Sequence, residues 1–474
     1  MYWNHDEDQS SFFGDGSDFR ARGTQKDEKK RFTLSFLLII VSIATAAAIL
    51  LTYTVTTTID RFYYLQRLQE LREESENNVS SLDVEHLDVL AAIFEKYSYY
   101  AGEVSQEELL TAVMKAYAEA TGDRYAEYYT EAEYAAMTAE NAGDRVGIGV
   151  SVINTAVTVE GVEYQAFQII GIYKNAPAAS SDLRIGDLIY AFKSGGETKT
   201  VSALGYTAAL SAFADKAGTV AEFSVLRPRE GGYDVLQFSI TRDRFESESV
   251  TYKIAEKDPT VGIVQISSFD LTTPTQLKAA VSALQTAGVE HFVFDVRNNP
   301  GGDLQSIRAS LTYFLQKDDL ILASIDRDGK VVNSYRAAEL TFVGDYASCN
   351  VKASEIGMFA NLDMTVLCNE NTASAAEVFT ATLYDYGLAH VVGETTFGKG
   401  IMQTFIPLST FGNYEGYAKM TTYAYVTKRG ETYHEIGVEP HEKVALSEEA
   451  KSYHFYLLPQ DQDNQLQAAI AHFE

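Results

Sequence analysis

"DMTVLCNENTASAAEVFTATLYDYG", residues 363–387, changes its period halfway, and that change decides the fold. The first half, DMTVLCNENTAS, is short and apolar and reads as a strand leading to Ser374. From Ala375 to Tyr386 the chain is rich in Ala, Leu and Phe, and Gly387 supplies a stop, so this half reads as a helix. Ser374 stands at the junction. With Glu377 it forms an S-x-x-E capping box, in which the serine oxygen takes a backbone N–H and the glutamate reaches back. A serine in that pattern is ordinarily a cap. The alternative is that it attacks a peptide bond, and the flanking sequence has to decide.

Outward from this junction, strand and helix alternate from Val250 onward. TVGIVQISSF reads as a strand, TPTQLKAAVSALQTAG as a helix, and VEHFVFDVRNNPGGDL as a strand running into a glycine turn. LQSIRASLTYFL is helical, and LAHVVGETTFGKG is a further strand and turn. Alternation of this kind predicts a mixed α/β domain with helices against a sheet. Such folds carry their chemistry on the loops beyond the strand ends.

Before this domain, from about Gly143, short β-branched segments predict strands: VGIGVSVI (146–153), YQAFQIIGIY (164–173), GDLIYAFKSG (186–195) and AEFSVLRP (221–228), with a helix over 207–218. RVGIGV places Gly147 and Gly149 around Ile148, a loop whose N–H groups are suited to face a carboxylate. NAPAASSDLRIGD, ending in Asp187, resembles the Pro-Ala turn and Gly-Asp strand of PDZ domains. Residues 143–245 therefore resemble a PDZ domain, which captures extended peptides and C-terminal carboxylates by strand addition. Further upstream, Leu87, Leu90, Ile93, Phe94 and Tyr97 recur at helical spacing, and Ser105 with Glu108 opens a second helix to about Ala120. A helical region over 81–142 needs a neighbour for its apolar stripe, so it packs or forms a homodimer.

The chain of 474 residues has 66 acidic against 38 basic residues, a formal net charge of −28. That argues against a nucleic-acid partner, which requires clustered Lys and Arg. Phe32–Ile59 runs 28 residues without a charge, long enough to span a bilayer as a helix. Lys26, Lys29, Lys30 and Arg31 precede it, which places the N-terminus in the cytoplasm and the bulk of the chain outside. Residues 1–31 then form a cytoplasmic tail and 60–80 a charged stalk containing Leu65, Leu68 and Leu71. The two cysteines, Cys349 and Cys368, are too few for a disulfide scaffold or a four-cysteine zinc site, and pairing or burial as free thiols are both open.

No G-x-S-x-G elbow, H-E-x-x-H pair or G-x-x-x-x-G-K phosphate loop is present, and no metal or cofactor site is expected. His390 lies in an apolar strand, where a satisfied core histidine is the plainer reading. Lys399 stands out, set between Gly398 and Gly400 in TTFGKGIMQ after a strand. Alone it is a solvated turn lysine. Yet TASAAEVFTATLYDYGLAHVVGETTFGKGIMQ resembles the core of the C-terminal processing peptidases, or tail-specific proteases, whose pattern runs "SASASE…DYG.A.VVGE.TFGKG..Q". The 25 residues from Ser374 to Lys399 and the further four to Gln403 both fit that pattern, as do FDVRNNPGGDL (294–304) and YHEIGVEPHEKV (433–444). The resemblance covers roughly residues 80–474.

The resemblance implies a serine–lysine dyad: Ser374 as nucleophile, Lys399 as neutral general base and Gln403 orienting the amine. It implies backbone N–H groups of Ala375 and of Gly301 or Gly302 as an oxyanion hole. A free lysine titrates near ~10.4, so the base has to be buried to work near neutrality. Three positions depart from the family pattern: Ala376 stands for a serine, Arg124 for a proline and His441 for an aspartate. The resulting expectation is a membrane-anchored serine endopeptidase with its core over 246–445, a C-terminal helical tail over 446–474, and protein or peptide substrates with free C-termini. The competing expectation is a silent, membrane-tethered PDZ receptor.

Overall fold

The computed structural model describes residues 84–474 apart from 160, 195 and 413. The expected tail, apolar span and stalk lie outside the described residues. Among those residues no helix is long and apolar enough to cross a membrane. The chain divides into two compact units, Met1–Tyr99 and Tyr100–Glu474. In the first, Val84–Tyr97 is a helix whose Leu90, Ile93, Phe94 and Tyr97 are exposed.

In the second unit, Ser105 and Glu108 make the expected capping box and start the helix Gln106–Ala120. A short strand, Glu127–Tyr129, and a helix, Glu131–Asn141, follow. Next comes an antiparallel six-stranded sheet built from Val150–Val159, Val162–Ile172, Leu188–Ser194, Val220–Arg229 and Gly232–Thr241, with Glu197–Thr200 on the third of these. Asp144–Gly147 pairs with Asp243–Glu246 and zips the two ends of this segment together. Alternate residues Phe167 and Ile169, and Phe223 and Val225, are buried on one face, as the two-residue strand period requires. The helix expected over 207–218 stops early, leaving Val201–Leu204 and Tyr206–Ser211. The reason is local: the Ala212 and Phe213 carbonyls accept from Arg242 Nη2 (2.6 Å) and Ile148 N–H (3.2 Å) instead of continuing a helix.

The remaining chain builds a second six-stranded sheet in the order Val250–Ile254, Val261–Ile266, His291–Asp295, Asp363–Cys368, His390–Gly393 and Glu442–Lys443. The first pair is antiparallel and the other four are parallel. Phe292 and Phe294 face one side, with the helices Thr273–Thr286, Leu304–Thr312 and Ala375–Asp385 packed there through Leu277, Ile307 and Phe379. Val293, Leu367 and Val392 face the other, under Leu466 and Ala469 of the helix Asn464–Ala471. A separate antiparallel sheet, Glu127–Tyr129, Tyr417–Val426, Leu320–Ile325 and Val331–Arg336 with Ile401–Pro407, stands beside this core. No strands are predicted there from the sequence, although AKMTTYAYV carries the alternation that marks one.

Candidate active site

The site lies beyond the C-terminal ends of two neighbouring parallel strands, His291–Asp295 and Asp363–Cys368, whose following loops are tied together. Ala373 N–H donates to the Asn299 carbonyl at 2.9 Å, Asn298 N–H to Asn369 Oδ1 at 2.9 Å, and Thr372 Oγ1 to the Val296 carbonyl at 2.9 Å. Ser374 follows at φ 57°, ψ −119°, a left-handed conformation that costs a non-glycine residue on the order of 1–3 kcal/mol. That is the sharp strand-to-helix turn on which a nucleophile is held out of the helix. Its side chain caps no helix N–H. Glu377 N–H donates to the Ser374 carbonyl, and the glutamate carboxylate accepts Ser374 N–H at 2.9 Å. Half of the expected capping box is made, and the hydroxyl caps no helix N–H and lies against the Tyr425 phenol instead.

Gly301 explains how close the loops come. A Cβ there would lie 2.7 Å from Ser374 Cβ and 2.8 Å from Ala375 N, so glycine is required. Its own N–H donates to Asn299 Oδ1 at 2.8 Å. Gly302 N–H and Ala375 N–H have no hydrogen bond among the described residues. Of the three sequence-derived oxyanion donors, these two are the unengaged ones. Behind the loop, all five N–H groups of buried Arg297 are spent on Asp295, Asp463 and Gln465. This ties the loop to the C-terminal helix.

Glu377 does more than the sequence suggested. Fully buried, it accepts Thr396 Oγ1 (2.6 Å) and Gly398 N–H (2.7 Å) on Oε1, and Ser374 N–H (2.9 Å) and Lys399 N–H (2.7 Å) on Oε2. One carboxylate therefore fixes the backbone of both dyad candidates. Burial raises its pKa, with the four donors opposing. Lys399 is half-buried. Burial lowers its pKa first, then the charges of Lys419 and Arg124, against the pull of Glu377. Its carbonyl accepts the buried Tyr425 hydroxyl at 2.5 Å, and burial pushes that phenol well up, against smaller hydrogen-bond contributions from Tyr433 and Ser374.

The amine of Lys399 rests 4.6 Å from the centre of the Tyr125 ring, and no hydrogen bond joins it to Ser374 Oγ among the described residues. Gln403 does not reach it either: Gln403 Nε2 donates to Thr421 Oγ1 at 3.1 Å. Thr421 in turn donates its N–H (2.6 Å) and hydroxyl (3.0 Å) to Asp123. Asp123 and Tyr125 belong to the segment just before the strand Glu127–Tyr129, which pairs with Tyr417–Lys419. The structure thus gathers Ser374, Ala375, Gly301, Gly302 and the Lys399 backbone, and leaves the lysine amine and Gln403 on other partners. Asp123, Tyr125 and Tyr425 were missed, since their sequence separation from Ser374 carries no signal.

In the upstream sheet, Gly147, Ile148 and Gly149 are buried. Ile148 N–H is spent on Phe213, Ile148 carbonyl accepts Ala178 N–H at 2.8 Å, and a Cβ on Gly149 would strike Ala176 Cβ at 1.9 Å. Asp187 is a buried ion-pair partner of Arg227 at 2.8 Å. Cys349 and Cys368 are free and buried. No cluster suited to a metal is found among the described residues.

Residues 260–444 match the sequence model of Peptidase family S41. Carboxy-terminal processing proteases CtpA and CtpB of Bacillus subtilis are each 27% identical, over 75% and 72% of this chain and 68% and 64% of their own lengths. A protein of Staphylococcus saprophyticus described as a CtpA-like serine protease is 28% identical over 73% of this chain, and the match spans 62% of that relative's length. A Bacteroides fragilis structure described as an S41 protease shares the mixed α/β fold, at TM-score 0.50 and 16% identity over 81% of this chain and 96% of that one.

Proposed function

We propose that the chain is a serine endopeptidase cleaving protein substrates near their C-termini, with Ser374 as nucleophile and Lys399 as general base. The observation that carries this reading is the uncapped Ser374 on a left-handed turn, joined through one buried Glu377 carboxylate to the backbone of Lys399. A helix cap needs neither the strained turn nor the shared anchor. Gly302 and Ala375 N–H would take the oxyanion of the tetrahedral intermediate. The amine on Tyr125 represents a resting arrangement, since catalytic hydrogen bonds of free enzymes often tighten only with substrate bound. On this reading the lysine amine has to leave the Tyr125 ring and turn to the hydroxyl for catalysis.

The domain over 143–245 is read as PDZ-like and as the part that selects substrate tails, and the uncharged span 32–59 as an anchor that puts the catalytic part outside the cytoplasm. Ser374→Ala should abolish cleavage of test peptides while leaving the circular dichroism spectrum unchanged; retained turnover would reject the nucleophile. Protease added to intact cells should digest the bulk of the chain, and full protection would reverse the topology.

A further inference from the structure

Arg124 occupies the position where the similar family pattern has a proline, and its surroundings are unusual for a chain of net charge −28. Its guanidinium lies 4.8 Å from the centre of the Tyr125 ring and 5.8 Å from that of Phe397, two residues before Lys399. Lys399 Nζ rests on the same Tyr125 ring. Arg124 Nη2 donates to the Tyr125 hydroxyl at 2.6 Å, which is its one side-chain hydrogen bond among the described residues. A guanidinium has five N–H donors, so most of the fork is unspent.

The nearby carboxylates are already committed. Asp123 holds Thr421 and Tyr125 N–H, Glu127 takes Lys419 at 3.4 Å, and Glu377 is sealed under four donors. Lys399 has to be neutral to work. Arg124 is therefore a permanent, exposed positive charge at the rim, held over two aromatic faces, with no acid of its own among the described residues.

We propose that Arg124 is a specificity-determining residue, which takes a carboxylate of the bound peptide, terminal or side-chain, at the rim of the Ser374–Lys399 centre. The planar fork matches a carboxylate bidentately, and the two rings hold it in place before binding. This rests on Ser374 and Lys399 being the reacting pair. Because the contact exists before and throughout the reaction, it acts on KM and leaves kcat alone. A second effect is separable: the Arg124 charge lowers the Lys399 pKa, so its removal moves the rising limb of the pH profile to higher pH for every substrate alike.

The test uses the full-length chain in detergent and one peptide sequence, made with a free-acid C-terminus, with an amide, and as the amide with Gln replaced by Glu at the penultimate residue. The parent should cleave the free acid with kcat/KM about fivefold or more above the amide, through KM. Arg124→Gln should erase that ratio and Arg124→Lys restore part of it. If the Glu-containing amide recovers the rate, the subsite takes a side-chain carboxylate; if it does not, the terminal one is the ligand. Equal cleavage of all three peptides by the parent, or a carboxylate preference that survives in Arg124→Gln, overturns the proposal and leaves the peptidase reading standing. Turnover of every peptide that is unchanged in Ser374→Ala rejects the peptidase reading itself, and the subsite with it.

Discussion

Glu377→Gln is the substitution whose consequence can be worked most fully. The side chain keeps its volume and one oxygen, and loses a charge that four donors share at 2.6–2.9 Å. The less costly orientation puts the new NH2 at the Oε1 position. There Thr396 Oγ1 can turn to accept, but Gly398 N–H faces a donor. An unsatisfied buried N–H costs roughly 1–3 kcal/mol, and each remaining bond weakens by roughly 1 kcal/mol on losing its charge. Relief of the buried carboxylate's desolvation, visible as its raised pKa, offsets part of that. The net expectation is a loss of roughly 2–4 kcal/mol.

Linkage sets the sign with pH: a raised folded pKa contributes stability fully below the unfolded value of 4.5 and loses it as pH rises through the folded value. Glutamine has no such limb, so the deficit of the variant should narrow from pH 4 towards 7. Because the same carboxylate sets both the Ser374 and Lys399 backbones, kcat should fall on the order of 10²-fold even where the protein is folded. Urea titration followed by circular dichroism, with peptide turnover on the same samples, measures both. A variant within about 1 kcal/mol of the parent that also keeps more than half its turnover would refute the bridging role of Glu377.

For Lys399, burial and neighbouring positive charge lower the pKa from 10.5, and only the neutral amine accepts the serine proton, so activity should climb with pH through that lowered value. Lys399→Arg should be inactive at every accessible pH, and Lys399→Met inactive but no less stable; substantial pH-independent turnover of the arginine variant would show that another group is the base. Burial pushes the Cys349 and Cys368 thiols up to about 12, so a thiol reagent at pH 8 should label neither until urea is added. Rapid native labelling would contradict their burial. Gly149→Ala places a Cβ against Ala176 at φ 78°, and should destabilise the upstream sheet by roughly 2 kcal/mol or more, read from its urea midpoint. An unchanged midpoint would mean the loop has room that the geometry denies it.

The elements nearest the chemistry were legible because their signals are local. A β-branched run, a helix-period run and a glycine-bounded lysine are decided by neighbours in sequence, and they placed Asp363–Cys368, Ala375–Asp385 and the Lys399 turn where they stand. The capping box was legible as composition but only half right as geometry. The Ser374 turn is pulled into a left-handed conformation by loops tied to Asn299 and by Gly301 packed against it, and no propensity within 370–377 reports that. The same holds for Glu377, whose three further loop contacts are 19 to 22 residues away, and for Asp123 and Tyr125, which meet Thr421 and Lys399 across more than 270 residues. The sequence by itself determined the α/β alternation, which depends on period and residue type, and its resemblance to a peptidase family singled out Ser374 and Lys399 as candidates. Tertiary structure decided what each of those side chains touches. Hydrogen bonds and ring contacts form between groups that packing brings within a few ångströms, and the linear spacing of residues holds no record of those distances.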